Sequence, residues 1–153
     1  MAGAALDLLL RLVRGIELMA ALTAFGTLAI ALLIPRSSHG GEHPFDLVRP
    51  ALRRLLRRAI IVALIASLVW LPLQALRATG DELSLFAATR LIAVETVFGH
   101  ALLIRFGLLA LLLEAAGDLR SPWRAGFATL LAAAAVTLQP WLGHAAAAST
   151  PTL

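Results

Sequence analysis

Residues 59–78, AIIVALIASLVWLPLQALRA, contain a single charged side chain, Arg77. A run of about 20 apolar residues is long enough to cross the hydrocarbon core of a bilayer as an α-helix. Three further apolar runs of similar character lie at 13–34, 97–116 and 124–144. The sequence therefore predicts an all-α polytopic membrane protein whose residues 1–153 form a single transmembrane domain, a four-helix transmembrane bundle.

The composition agrees with a lipid environment. The chain is 60% hydrophobic and only 14% charged, whereas roughly a quarter of the residues of a soluble domain are charged. The absence of cysteine excludes disulfides and thiolate metal sites. All 13 basic residues are arginine, and the net charge is +4. No aromatic platform accompanies these charges, so we expect contacts with anionic lipids of the bilayer and no binding of nucleic acid.

The distribution of arginine predicts the orientation. With four alternating spans, one side of the membrane carries four arginines: Arg11, Arg14, Arg77 and Arg90. The opposite side carries eight: Arg36, Arg49, Arg53, Arg54, Arg57, Arg58, Arg120 and Arg124. Because cytoplasmic loops are enriched in basic residues, we expect the second side to be cytoplasmic. Both termini then lie on the outer side of a bacterial inner (plasma) membrane. This side is the periplasm if the host is Gram-negative.

Two connections are expected to contain short interfacial helices. The basic cytoplasmic loop 35–58 ends in an amphipathic stretch that begins near Pro50 and leads into the second span. The outer-face connection 79–96 is too long for a tight turn, and Thr79 or Asp81 is a suitable N-cap for a helix within it.

One apparent catalytic motif is rejected. His39, Glu42 and His43 match the zinc-protease pattern H-x-x-E-H, which requires both histidines on one helical face. Two intervening glycines and Pro44 are incompatible with such a helix. No other motif requires covalent chemistry, so we expect a protein that is not an enzyme.

Four polar residues are candidate metal ligands. His100 and His144 each follow a glycine at an end of an apolar run, and the predicted orientation places both near the outer face. Glu17 and Glu95 are expected at the same face as auxiliary ligands. Imidazoles with nearby carboxylates suit Cu(II) or Zn. The alternative for either histidine is a polar anchor at the membrane interface.

Arg105 is expected to lie about two turns below the outer surface, at a rise of ~1.5 Å per residue. An arginine at that depth costs on the order of 3 kcal/mol, so it requires an acidic partner, for which Glu17 and Glu95 are the candidates. Glu17 shares one helical face with small residues that allow close helix packing. Glu17 itself is expected near the outer interface, paired with Arg14 one turn earlier. The alternative is a functional carboxylate that faces the interior of the bundle.

Two stretches resemble the copper resistance D family. Residues 96–105, TVFGHALLIR, are similar to the family's T-x-F-G…L-x-R helix start, and residues 138–147, LQPWLGHAAA, to its G-H-A-A element. The motif positions matched by this resemblance are Thr96, Phe98, Gly99, Arg105, Gly143 and His144. His100 is not part of the motif, so its predicted role as a ligand depends on the topology alone.

The resemblance implies an inner-membrane protein of copper resistance or uptake, and the predicted orientation places the binding of copper ion near the periplasmic face. It also implies work with a periplasmic copper-binding protein of the copper resistance C type. Family members have further spans, so a missing second half or a homo-oligomer is expected to complete the bundle. Two alternatives remain: a structural or assembly subunit without metal, and a membrane electron carrier with a haem bound by His100 and His144.

Overall fold

The computed structural model describes residues 2–33, 48–80, 82–117 and 121–142, and all regular structure within them is helical. Its five helices are α1 (Ala2–Leu33), α2 (Arg49–Thr79), α3 (Leu85–Glu95), α4 (Val97–Ala115) and α5 (Pro122–Thr137). Four helical segments are long and apolar enough to span a membrane: Gly3–Leu33, Arg49–Thr79, Val97–Ala115 and Trp123–Leu142. The predicted fold class is thus confirmed, and the chain is a multi-pass membrane protein.

The helices that span the membrane form a ring of four. Helix α1 packs against α2 and α5, and α4 packs against the same two helices, so α1 and α4 lie diagonally across the bundle. We call the end where α1 and α4 begin the N-terminal end of the bundle. The short helix α3 packs against α2 and α4 there.

The first two helices begin earlier than the apolar runs suggest. Helix α1 starts at Ala2, well before residue 13, and the expected basic helix from Pro50 is continuous with the second span. Alanine, leucine and arginine are strong helix formers, so the helices continue beyond the apolar segments into polar surroundings. Gly80 caps the C-terminus of α2: its φ of 56° favours glycine, and its N–H donates to the Leu76 carbonyl at 2.9 Å.

Helix α3 confirms the expected helix between the second and third spans, but its cap differs from the prediction. Thr79 belongs to α2, where its hydroxyl donates to the Ala75 carbonyl at 3.0 Å, and Asp81 lies outside the described residues. The N-cap is Ser84, whose side chain accepts a hydrogen bond from the Ala87 N–H at 3.4 Å. Serine is a favoured N-cap because it satisfies one of the free N–H groups of the first turn.

Two apolar clusters fill the bundle. The cluster at the N-terminal end includes Val13 of α1, Trp70 of α2, Leu102 of α4 and Leu142 beyond α5. The cluster at the opposite end contains small and branched residues of the same helices, among them Ala20, Ala24, Ile60, Leu109 and Ala135. Ala20, Ala21 and Ala24 of α1 are buried, as expected for a face that another helix approaches closely.

Candidate functional site

A polar layer separates the two apolar clusters. On α1, Glu17 lies between Val13 and Ala20, and on α4, Arg105 lies between Leu102 and Leu109. Gln139 occupies the corresponding position between Ala135 and Leu142 at the end of the last span. Three spans therefore each place one polar side chain at one level, between the two apolar clusters.

The three side chains interact directly. Nη2 of Arg105 lies 2.7 Å from Oε1 of Glu17, and both side chains are 0% exposed. Nε2 of Gln139 donates a hydrogen bond of 3.4 Å to Oε2 of Glu17. Both carboxylate oxygens thus have a polar neighbour, and the ion pair joins the diagonal helices α1 and α4.

The ion pair confirms that Arg105 has an acidic partner and identifies that partner as Glu17. The expected position of Glu17, at the outer interface and paired with Arg14, is wrong. The structure buries Glu17 completely, on the same face as Ala20 and Ala24, while Arg14 is exposed. Close packing of small residues brings α1 far enough into the bundle for the short acidic side chain to reach the centre.

The polar layer retains unused hydrogen-bonding capacity. Nε and Nη1 of Arg105 and Oε1 of Gln139 are buried and have no hydrogen-bond partner among the described residues. A guanidinium carries five N–H donors, and one carboxylate leaves several of them unmet. The three side chains therefore do not satisfy all of the hydrogen-bonding groups that they bring into the layer.

The motif positions at the start of α4 form a tight junction with α3. The Thr96 hydroxyl donates to the Ile92 carbonyl at 2.6 Å and accepts from the Gly99 N–H at 2.9 Å. A Cβ atom at Gly99 would overlap the Ile92 carbonyl oxygen and lie 2.6 Å from Cα of Ala93. Only glycine therefore permits this approach of the two helices.

Phe98 connects the same junction to α2. Its ring meets the indole of Trp70 edge to face, with centroids 5.3 Å apart and planes at 75°. Both rings are 2% exposed. Thr96, Phe98, Gly99 and Arg105 thus each make a contact that holds helices together.

The candidate metal ligands are not assembled in the described part of the chain. Glu17 is buried in the polar layer, whereas His100 and Glu95 are exposed near the N-terminal end of α4. No group of three or more histidine, cysteine or acidic side chains within residues 2–33, 48–80, 82–117 and 121–142 is placed to hold a metal ion. His144 and Gly143 lie outside the described residues, as do His39, Glu42 and His43.

The sequence predicted an acidic partner for Arg105 but left Glu17 and Glu95 open, and it gave no role to Gln139. The sequence did contain an indication of this role, since an amide inside an apolar span requires hydrogen-bond partners. The position of Gln139 opposite Glu17 depends on how far α5 is shifted along α1, which periodicity does not determine.

Comparison with known proteins gives one result. A sequence model of the copper resistance protein D-like N-terminal domain matches residues 5–151. No curated protein matches the chain. No solved structure matches it either. The family match includes all of α2 to α5 and all but the first three residues of α1.

Proposed function

The chain belongs to the copper resistance protein D-like family, and from that premise we propose that it binds and passes on copper at the periplasmic face of a bacterial inner membrane. The observation that carries the proposal is the family match over residues 5–151. The family suggests a role in copper resistance or uptake. Copper is the cargo in this proposal, and no catalytic step is required.

The proposed site lies at the N-terminal end of the bundle. Helix α4 begins there with His100 in its first turn, and the last span ends there at Leu142, two residues before His144. The excess of arginine at the opposite end supports a periplasmic location for this one. We therefore propose His144 and His100 as the principal copper ligands.

Exposure supports a site that exchanges copper. His100 and the auxiliary candidate Glu95 are exposed, so an incoming metal ion reaches them without a movement of the bundle. Imidazole and carboxylate are suitable ligands for Cu(II). Glu17 has both oxygens engaged by Arg105 and Gln139, which favours a structural role over that of an auxiliary ligand. The proposed donor or acceptor of copper is a periplasmic protein of the copper resistance C type.

Copper stoichiometry of the purified protein in lipid nanodiscs tests the ligands. We expect the variant His100→Ala/His144→Ala to lose bound copper. The matched control is His39→Ala/His43→Ala, which removes the other two histidines of the chain and should retain it. Equal copper in the parent and the His100/His144 variant would overturn the site. A Soret band in the parent would instead favour haem, and neither metal nor haem would favour a structural subunit.

Reporter fusions test the location. We expect a reporter fused at residue 40 to lie in the cytoplasm and a reporter fused after the last residue to lie in the periplasm. A fusion at residue 40 that is active only in the periplasm would place the N-terminal end of the bundle in the cytoplasm and contradict the proposal.

A further inference from the structure

Helices α1 and α2 enclose an open groove on the side of the bundle. Its volume is about 590 Å³, and its walls include Gly15, Ile16 and Met19 of α1 and Val62 of α2. Ile16, Met19 and Val62 are 52%, 65% and 42% exposed. The groove is thus an apolar surface that faces the bilayer, and it extends along α1 for about 18 Å between Arg11 and Thr23 at a rise of ~1.5 Å per residue.

The groove also contains positive charge. Arg58 lines it near one end and Arg11 near the other, and no acidic residue contributes to its walls. Neither guanidinium has an ion pair with a described residue. Arg58 follows Arg53, Arg54 and Arg57 on the same helix. The electrostatic potential therefore favours an anion more strongly at the Arg58 end of the groove than at the Arg11 end.

The depth of Arg58 matches that of a lipid headgroup. Residues 59–76 of α2 carry no charge and are bounded by Arg58 and Arg77. At ~1.5 Å per residue these two arginines are about 28 Å apart along the helix, close to the ~30 Å thickness of the hydrocarbon core. Arg77 pairs with Asp7 at 3.4 Å with both side chains about half exposed, which is consistent with the opposite interface.

We propose that this groove binds an anionic phospholipid, with its phosphate at Arg58 and an acyl chain against Ile16, Met19 and Val62. A guanidinium can donate two parallel hydrogen bonds to a phosphate. The acyl chain covers apolar side chains that no other helix of the bundle covers. The lipid is held in the leaflet where α2 begins, at the opposite end of the bundle from the proposed copper ligands.

Native mass spectrometry of the full chain tests the phosphate contact. The probes are phosphatidylglycerol and phosphatidylcholine with identical acyl chains, offered in equal amounts. We expect the parent to retain phosphatidylglycerol preferentially, and Arg58→Gln to lower that preference about tenfold, as for the loss of a charge-assisted hydrogen bond. Arg57→Gln removes the adjacent charge, which does not line the groove, and should change the preference less than about twofold.

Blocking the groove tests the position of the acyl chain. A Cβ atom added at Gly15 or at Gly107 meets no atom within 4 Å, but only Gly15 lines the groove. Gly15→Leu should therefore lose bound phosphatidylglycerol, whereas Gly107→Leu should retain it.

Several results would overturn the proposal. Equal losses in Arg58→Gln and Arg57→Gln would indicate a general attraction to the basic helix without a site. Retention in Gly15→Leu would exclude the groove as the position of the acyl chain. A loss of the preference for phosphatidylglycerol in Arg11→Gln but not in Arg58→Gln would place the phosphate at the Arg11 end of the groove. Because none of these measurements involves copper, the result is independent of the proposed function.

Discussion

Arg105 and Glu17 form an ion pair with a separation of 2.7 Å between helices that are diagonal neighbours in the bundle. The flanking helices α2 and α5 each contact both α1 and α4. The ion pair therefore joins the two sides of the ring through its centre. Any change that separates α1 from α4 leaves two charges in an apolar interior.

Removing one partner of this ion pair should be more destabilising than removing both. Glu17→Gln or Arg105→Gln leaves an uncompensated buried charge, and we expect each to cost about 3–5 kcal/mol of unfolding free energy. The double variant should lose less than either single variant, because neither charge remains in the interior. The coupling between the two side chains is measured by unfolding four proteins in mixed micelles: the parent, the two single variants and the double variant.

The pair between Asp7 and Arg77 provides the matched control. Its atoms are 3.4 Å apart and its side chains about half exposed, so solvent screens the interaction. Asp7→Asn should cost less than about 1 kcal/mol. Equal effects of Asp7→Asn and Glu17→Gln would contradict the central role of the buried pair.

Gly99→Ala should destabilise the junction of α3 with α4. The new methyl group would overlap the Ile92 carbonyl and the Ala93 backbone, neither of which can move without displacing α3. Overpacking of this kind costs about 1–3 kcal/mol. Gly107→Ala lies on the same helix with free space around its Cβ position and should not lower the melting temperature. A melting temperature unaffected by Gly99→Ala would exclude the close contact.

Thr96→Val should destabilise the same junction through lost hydrogen bonds. Valine has the shape of threonine but neither donates to the Ile92 carbonyl nor caps the Gly99 N–H. Loss of an N-cap costs about 1 kcal/mol. Thr96→Ser keeps the hydroxyl and should restore most of the melting temperature. If serine is as destabilising as valine, the methyl group of Thr96 is the important feature and the hydrogen bonds are not.

The three tryptophans should differ in their access to lipid. Trp70 is 2% exposed, whereas Trp123 and Trp141 are 79% and 65% exposed. In variants that retain one tryptophan each, brominated lipids should quench the fluorescence of Trp123 and Trp141 and leave that of Trp70 nearly unchanged. Strong quenching of Trp70 would mean that lipid reaches its contact with Phe98.

Hydropathy alone was sufficient to predict the four spans, because each bilayer crossing requires a long apolar helix. It did not predict where α1 begins, since the first turns contain helix-forming residues that lie beyond the apolar run. The cap of α3 was also missed. Thr79 and Ser84 are both suitable N-caps, and the choice between them depends on how far α2 continues.

Only part of the polar layer could be predicted from the sequence. An arginine inside a span requires an acidic partner wherever the helices place one, so the ion pair followed from the residue types. The identity of the partner required the relative positions of α1 and α4 in three dimensions. The groove at Arg58 depends on the separation of α1 and α2, and no pattern within one helix contains that information.

The position of the ion pair also has a consequence for biosynthesis. Helix α1 precedes α4 in the chain, so the carboxylate of Glu17 enters the membrane before the guanidinium of Arg105. An arginine in the middle of a span opposes insertion by on the order of 3 kcal/mol, and an acidic residue already in the bilayer offsets this cost. In a membrane-insertion assay, we expect α4 to insert less efficiently when the α1 that precedes it carries Glu17→Leu than when it is the parent α1. The third span of this protein is thus stabilised in the membrane by its first.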